Sequence, residues 1–327
     1  MTRSPAKPLL RAPSLQAGDT VGIVAPASDI KAESLRRGCE ALERLGYKPF
    51  YFDSILNRDL YFAGSRERRL RELHDMFGRD DVRAIICARG GYGCNYLLED
   101  IDLNLIARHP KIFMGYSDIT TLLTYINDAT GLVTFHGPMV TKDFADGRVD
   151  EKSWKAAVQG TEAWGFEFDN ASGVATLVEG EAEGKLYGGC LSMLAASLGT
   201  PYEVQTDGTI LFIEDVAAKP YQIDRMLTQL KLAGKFARVR GIVFGEMLDC
   251  MQSKDQDYTL REVVQRVVGN LGIPVAYGLS SGHVTGKNIT LPLGIRARLT
   301  TRRDRVGLNI LEAATVPAAM PVRSAKI

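Results

Sequence analysis

Apolar residues along the first half of this chain alternate between two periods. Short apolar runs, "DTVGIVAPAS" (19–28), "YKPFYF" (47–52), "VRAIIC" (82–87), "KIFMG" (111–115) and "GLVTFHG" (131–137), read as strands. Between them lie "IKAESLRRGCEALERLG" (30–46), "SRERRLRELHDMFG" (65–78) and a segment from 118 to about 129, with apolar residues at helical spacing. The first two of these end at glycine, a common helix stop. Strands alternating with helices predict a parallel sheet covered on both faces.

The pattern lapses over 141–182, which is polar, glycine-containing and irregular, and a domain boundary is expected there. It resumes with the strands "GTILFIEDV", "VRGIVFGEM" and "IPVAYGL", the helices "GCLSMLAASLG", "PYQIDRMLTQLKLAG" and "TLREVVQRVVGNLG", and β-like runs at 288–300 and 305–311. The expected fold is therefore α/β with two domains. An N-terminal parallel-sheet domain spans 1–165 and a C-terminal α/β domain with its own sheet spans 166–327. The last dozen residues, rich in Ala and Pro, are expected to fray.

Composition narrows the function classes. Lys and Arg (40) balance Asp and Glu (39), so no basic excess argues for nucleic acid. No apolar run approaches the roughly 20 residues that span a bilayer, and the basic start lacks a signal-peptide core. The five cysteines (39, 87, 94, 190, 250) are odd in number and scattered, with no CxxC pair, so neither a disulfide framework nor a zinc site is expected. A reduced, cytoplasmic protein without metal or membrane partner is the expectation.

Candidate chemistry lies where strands end, because open α/β sheets bind ligands there. Ser117 follows "KIFMG" and opens a helix. It is either a nucleophile raised on a sharp turn or a helix N-cap. The surrounding G-Y-S-D-I differs from the G-x-S-x-G of α/β-hydrolases. Gly90-Gly91-Tyr92-Gly93 after "VRAIICAR" can bring backbone N–H groups close to a substrate oxygen, or be an ordinary turn; no phosphate-loop spacing is present. Glu214 and Glu246 each finish an apolar run, as buried orienting acids or as ion-pair partners, and position alone does not separate them. Of four histidines, His283 in "GLSSGHVTGKN" is the first candidate base. His136 in "TFHGP" also follows a strand, His74 sits on a charged helix, and His109 precedes a proline. Together these supply nucleophile, base, orienting acid and oxyanion loop.

At this level of detail the chain resembles a known family. "GYSDIT" with "RGGYG" upstream, "GG-L-x-x-L-A-x-S-L-G-T-P", "FIEDV" with "Y-x-I-D-R", and "GH-(x)4-N-x-T-L-P-x-G" are similar to motifs of the LD-carboxypeptidases. These serine peptidases include murein tetrapeptide carboxypeptidases and microcin C immunity hydrolases. The likeness covers about residues 19–300 in the family's order. It implies a glutamine-amidotransferase- or flavodoxin-like N-terminal domain, a site between two domains, and commonly a homodimer. It further implies Ser117 as nucleophile, His283 as base and Glu214, in preference to Glu246, as orienting acid. Gly91 and the Asp118 N–H would form the oxyanion hole, and no cofactor is needed. Where the family usually has Asn, this chain has Cys190, expected to be a packed residue. By resemblance the substrate is a murein tetrapeptide, cut between the L-centre of meso-diaminopimelate and terminal D-alanine in cell-wall recycling. Arg89 and Tyr92 are further candidates for substrate contact. A nucleotide-linked peptide is the alternative substrate, and a non-catalytic two-domain binder is the alternative from another class.

Overall fold

The computed structural model describes residues 7–251 and 257–318. The first half alternates as its periodicity predicts: β1 (Thr20–Val24), α1 (Ala32–Arg44), β2 (Lys48–Phe50), α2 (Arg66–Gly78), β3 (Val82–Cys87), α3 (Leu103–Arg108), β4 (Ile112–Gly115), α4 (Thr120–Thr130) and β5 (Thr134–His136). Ser65 caps α2 by accepting the Arg68 N–H, and Asp102 caps α3 through Leu105 N–H. These strands pair in parallel in the order β2-β1-β3-β4-β5, which is the flavodoxin-like order. β1, β3 and β4 are almost wholly buried, as a parallel sheet between helical layers requires.

The stretch read as irregular is structured. It holds α5 (Glu151–Val158), β6 (Trp164–Asp169), β7 (Ala175–Val178) and the start of β8 (Gly180–Cys190). α5 was missed although Asp150 caps it and Trp154 anchors it in the core with no exposed surface. β6 and β7 are short outer strands, only half-buried, so their hydrophobic signal is weak. A left-handed glycine, Gly173, lies in the connection between them.

The remaining elements are α6 (Leu191–Ala196), β9 (Thr209–Glu214), α7 (Pro220–Leu232), β10 (Gly241–Gly245), α8 (Leu260–Val268), β11 (Val275–Leu279), β12 (Leu291–Leu293), β13 (Arg296–Arg302) and β14 (Arg305–Ile310). The second sheet has the order β6-β14-β13-β8-β9-β10-β11-β7, with β8 to β11 parallel and the flanks antiparallel. β12 leaves this sheet and pairs antiparallel with β5, so the chain returns to the first sheet after building most of the second. One apolar core contains residues of both sheets, such as Phe135, Phe212 and Leu291; a second lies under α6, α7 and α8. Of the tail expected to fray, 319–327 lies outside the described residues. Among the described residues, no helix is long and apolar enough to cross a membrane.

Candidate active site

The carboxyl ends of the parallel strands carry Ser117, the glycine loop, Glu214, Glu246, His136 and His283. β4 ends at Gly115, where a Cβ would come within 2.9 Å of Ile119, so only glycine permits so tight a turn. Tyr116 is extended and Ser117 then adopts φ +65°, a left-handed conformation unusual for a residue with a side chain. That conformation costs about 1–2 kcal/mol and persists because the buried strand and helix impose it. Ser117 is not a cap. It lies inside the helical turn Ser117–Ile119, and neither that turn nor α4 has a side-chain cap at its start.

The glycine loop after β3 faces this serine. A Cβ on Gly90 would lie 2.7 Å from Ser117 Cβ and 3.0 Å from its Oγ, so only glycine lets the loop approach the hydroxyl this closely. Asp118, almost fully buried, accepts the Cys94 N–H at 2.8 Å, and burial pushes its carboxyl above the usual range. Arg69 donates to Pro26 O (2.6 Å) and Gly93 O (2.9 Å), and the Tyr92 N–H donates to Ser28 Oγ (3.1 Å). Loop and elbow are thus tied together from below. Gly91 lies on the loop's exposed arc with φ +107°. Tyr92 is exposed and packs with Tyr61, Phe62 and Tyr96 in an aromatic cluster, while half-buried Arg89 donates to Asp29 O at 3.1 Å.

From the second sheet, Glu214 ends β9 with no exposed surface. Its Oε2 accepts both the His283 backbone N–H at 3.1 Å and the ring Nδ1–H at 2.7 Å. Burial works to raise the Glu214 carboxyl. The His283 charge, its hydrogen bond and the nearby His136 ring outweigh it, leaving the group at about 2. Burial likewise works to lower the His283 imidazole, and the Glu214 charge and hydrogen bond more than reverse this, so it titrates above its ordinary value. With Nδ1 engaged, Nε2 is the nitrogen left for chemistry. The His283 ring meets Tyr116, the neighbour of Ser117, edge to face at 5.0 Å between centroids. Ser117 Oγ and His283 are not hydrogen-bonded to each other among the described residues.

The loop carrying His283 is held at several points. Glu246 accepts from Ser280 Oγ (2.5 Å) and from Thr285 N and Oγ1 (3.0 Å each). Buried Asn288 accepts the Gly282 N–H and donates to Gly282 O. Gly282, at φ +91°, must be glycine, since a Cβ would lie 2.7 Å from Glu214 Cδ and 2.8 Å from His136 Cε1. His136 is therefore not an alternative to His283 at a distance; it flanks the same carboxylate, with Nε2 3.7 Å from Glu214 Oε1. The other two histidines lie elsewhere. His74 is half-buried and accepts the Asp102 N–H, and His109 ends α3. Cys190 is buried at the end of β8, in register with Glu214, and its thiol is held well above its ordinary value by burial and by the carboxylates of Glu214 and Asp215. Sequence reasoning passed over Asp143, which sits in a wide helical turn and accepts the Met139 N–H, and Ser281, hydrogen-bonded to His136; neither has a motif of its own.

A hydroxyl on a strained strand–helix elbow, an adjoining glycine loop, and a histidine–carboxylate pair brought in from a second sheet are the parts that an acyl-transfer hydrolase requires. Residues 21–137 match the family model of the LD-carboxypeptidase N-terminal domain, and residues 183–299 that of the LD-carboxypeptidase C-terminal domain. The chain is 42% identical over 293 residues to a probable murein peptide carboxypeptidase of Bacillus subtilis, covering 88% of this chain and 91% of the relative. It is 33% identical to the microcin C7 self-immunity protein MccF of Escherichia coli, covering 93% and 96%. Among solved structures, the muramoyltetrapeptide carboxypeptidase of Oxalobacter formigenes aligns with TM-score 0.82 at 30% identity, over 90% of this chain and all of that one. MccF in complex with glutamyl sulfamoyl guanosine aligns with TM-score 0.84 at 26% identity, over 94% and 100%. The chain belongs to the LD-carboxypeptidase family, and it is a carboxypeptidase with the family's two-domain fold.

Proposed function

We propose that this carboxypeptidase works as a serine peptidase with Ser117, His283 and Glu214 as its triad, releasing D-alanine from a murein tetrapeptide. Ser117 Oγ attacks the carbonyl of the L-centre while His283 Nε2 takes its proton. The same imidazolium then protonates the leaving amine, and a water activated by His283 hydrolyses the acyl-enzyme. Glu214 holds the ring tautomer and stabilises the positive charge. The Asp118 N–H at the start of the helical turn and the Gly91 N–H of the loop act on the developing oxyanion, each donor being worth about 3 kcal/mol of barrier. Absence of a Ser117–His283 hydrogen bond in the free enzyme is compatible with this, since such bonds often tighten only on substrate binding. Arg89, beside the loop, is the proposed partner of the substrate's terminal carboxylate, and Tyr92 of its remaining chain. We place the reaction in cytoplasmic peptidoglycan recycling and in a homodimer, on the likeness to the family.

The observation that carries this reading is the His283–Glu214 pair, built from the second sheet and packed against the residue that precedes the strained serine. Ser117→Ala is expected to lower D-alanine release by about 10⁴-fold or more, read by mass spectrometry of the tripeptide product. Release at the wild-type rate would end the mechanism. A second substrate class, a peptidyl- or aminoacyl-nucleotide amide, is favoured by the MccF likeness and by the exposed rings of Tyr61, Tyr92 and Tyr96 beside the loop, which offer a base a stacking surface. Trp154, by contrast, is core. Parallel incubation with murein tetrapeptide and an aspartyl sulfamoyl adenylate separates the two by which one yields product.

A further inference from the structure

Glu214 has two carboxylate oxygens, and the proposed triad uses one. Oε2 carries both hydrogen bonds from His283, while Oε1 is buried and has no hydrogen-bond partner. The nearest polar group is Nε2 of His136, at 3.7 Å, also buried and also without a partner. Two polar atoms taken out of water and left facing only each other are costly unless a proton lies between them. At that separation the attraction is mainly one of charge to dipole or charge, rather than a full hydrogen bond.

The rest of the ring is fixed. Nδ1 lies 3.1 Å from Ser281 Oγ, and that hydroxyl lies 2.8 Å from Ile289 O. Phe212 packs edge to face on one side at 5.0 Å between centroids, Tyr116 on another at 6.0 Å, and Gly282 closes the gap between ring and carboxylate. His136 ends β5 in register with Gly115 of β4, the strand that delivers the serine. A ring needed only for packing would be met by phenylalanine, with no buried polar atoms to satisfy. If the Ser281 hydroxyl donates to Nδ1, the neutral ring carries its proton on Nε2; if it donates to Ile289 O, Nδ1 carries one proton and the ring holds a second on Nε2, because a bare Nε2 would set a lone pair against a buried carboxylate. We propose that His136 is a positioning residue for the His283–Glu214 pair, presenting Nε2–H to Glu214 Oε1 so that Oε2 remains committed to His283.

This inference rests on the triad reading. The other groups bearing on the pair are Asp215, next along β9's exit; Asp143, whose carboxylate acts on His283; Tyr116; and Cys190. None of them hydrogen-bonds Oε1. Without the His136 proton, the Glu214 charge acts undivided on His283 and holds its proton more tightly. The acid limb of kcat/KM for D-alanine release must then move to higher pH.

The test compares His136→Phe, which keeps a ring and removes the donor, with His136→Gln, which keeps an amide N–H near the Nε2 position. His136→Phe is expected to lose about 10- to 100-fold in kcat/KM, with the acid limb raised by about half a pH unit or more. His136→Gln is expected to restore most of both. In parallel, ¹⁵N-histidine labelling of the wild-type protein, which has four histidines, is expected to show a protected Nε2–H that vanishes in both variants. An acid limb unmoved in both variants overturns the proposal, as does a bare Nε2 on His136, and the latter reading stands even if a variant fails to fold. Should Ser117→Ala retain full activity, the triad fails, while the nitrogen signal still reports whether His136 faces Glu214 with a proton.

Discussion

Two neighbouring strands of the second sheet end in the same way and put the ending to different uses. β9 closes "GTILFIE" with Glu214, and the chain leaves β10 through "GIVFGE" with Glu246. The strands are parallel and adjacent, and both carboxylates reach the one loop between β11 and β12. Glu214 is sealed in the core and takes the loop's middle, the ring and N–H of His283. Glu246 is half-exposed and takes Ser280 and Thr285, on either side of that histidine. In the proposed triad, one sets the electrostatics of His283 and the other sets where its loop can be. The difference comes from packing: β9 lies against the first sheet, where Phe212 meets His136, whereas β10 lies one strand further out.

The sharpest way to break this contrast is Glu214→Gln. A neutral amide cannot stabilise the imidazolium, so kcat/KM is expected to fall by about 10³–10⁴-fold, comparable to neutralising a triad acid elsewhere. Because Glu214 raises the His283 value, its loss should move the acid limb to lower pH, opposite to the shift expected from His136→Phe. Stability carries a second signature. A carboxyl lowered from 4.5 to about 2 stabilises the fold fully above 4.5, and that stabilisation disappears as pH falls from there towards 2. The amount is about 3 kcal/mol, shared with His283 rather than added to it. Urea denaturation across pH 2–6 should show a shallower loss in Glu214→Gln than in the wild type. Equal slopes would place Glu214 outside the pair.

Glu246→Ala should act on geometry alone. Three donors of the loop lose their acceptor, and a hydrogen bond to a charged group is worth about 1.5–3 kcal/mol when buried, less at a half-exposed site. A fall of about tenfold in kcat/KM is expected, with the acid limb unmoved because Glu214 still faces the ring. An acid limb that shifts as far as it does in Glu214→Gln would erase the distinction between the two carboxylates.

How much of this could be read beforehand follows from where the information lies. Ser117 and the glycine loop are local: a strand, a turn and a helix in succession generate the elbow, so their chemistry shows in a dozen residues. The two glutamates looked alike because their difference is the depth at which each strand ends, a property of sheet order that periodicity does not contain. His136 and His283 were posed as alternatives for the same reason. They come from different sheets and flank one carboxylate, and only the return of β12 to β5 makes that possible. The strands β6 and β7 went unseen because outer strands bury one face incompletely and their glycines mimic loop signals. α5 was hidden by its short length and polar outer face, although its Asp150 cap was present in the sequence.

The smallest effect expected is at Cys190, which tests the comparison from the neighbouring strand. Cys190 ends β8 in register with Glu214, so it shares the same rim and would be the obvious second nucleophile. Its environment argues otherwise. The thiol is buried, with Glu214 and Asp215 nearby, and both burial and those negative charges favour the protonated form, whereas a nucleophilic cysteine needs a stabilised thiolate. Its backbone N–H, not its sulfur, makes the bond to Thr120 Oγ1, and alanine keeps that bond. Cys190→Ala should therefore retain D-alanine release within about threefold and lose about 1 kcal/mol of stability for the vacated volume. A collapse of activity on the scale of Ser117→Ala would mean that the rim of β8, rather than the elbow of β4, supplies the attacking atom.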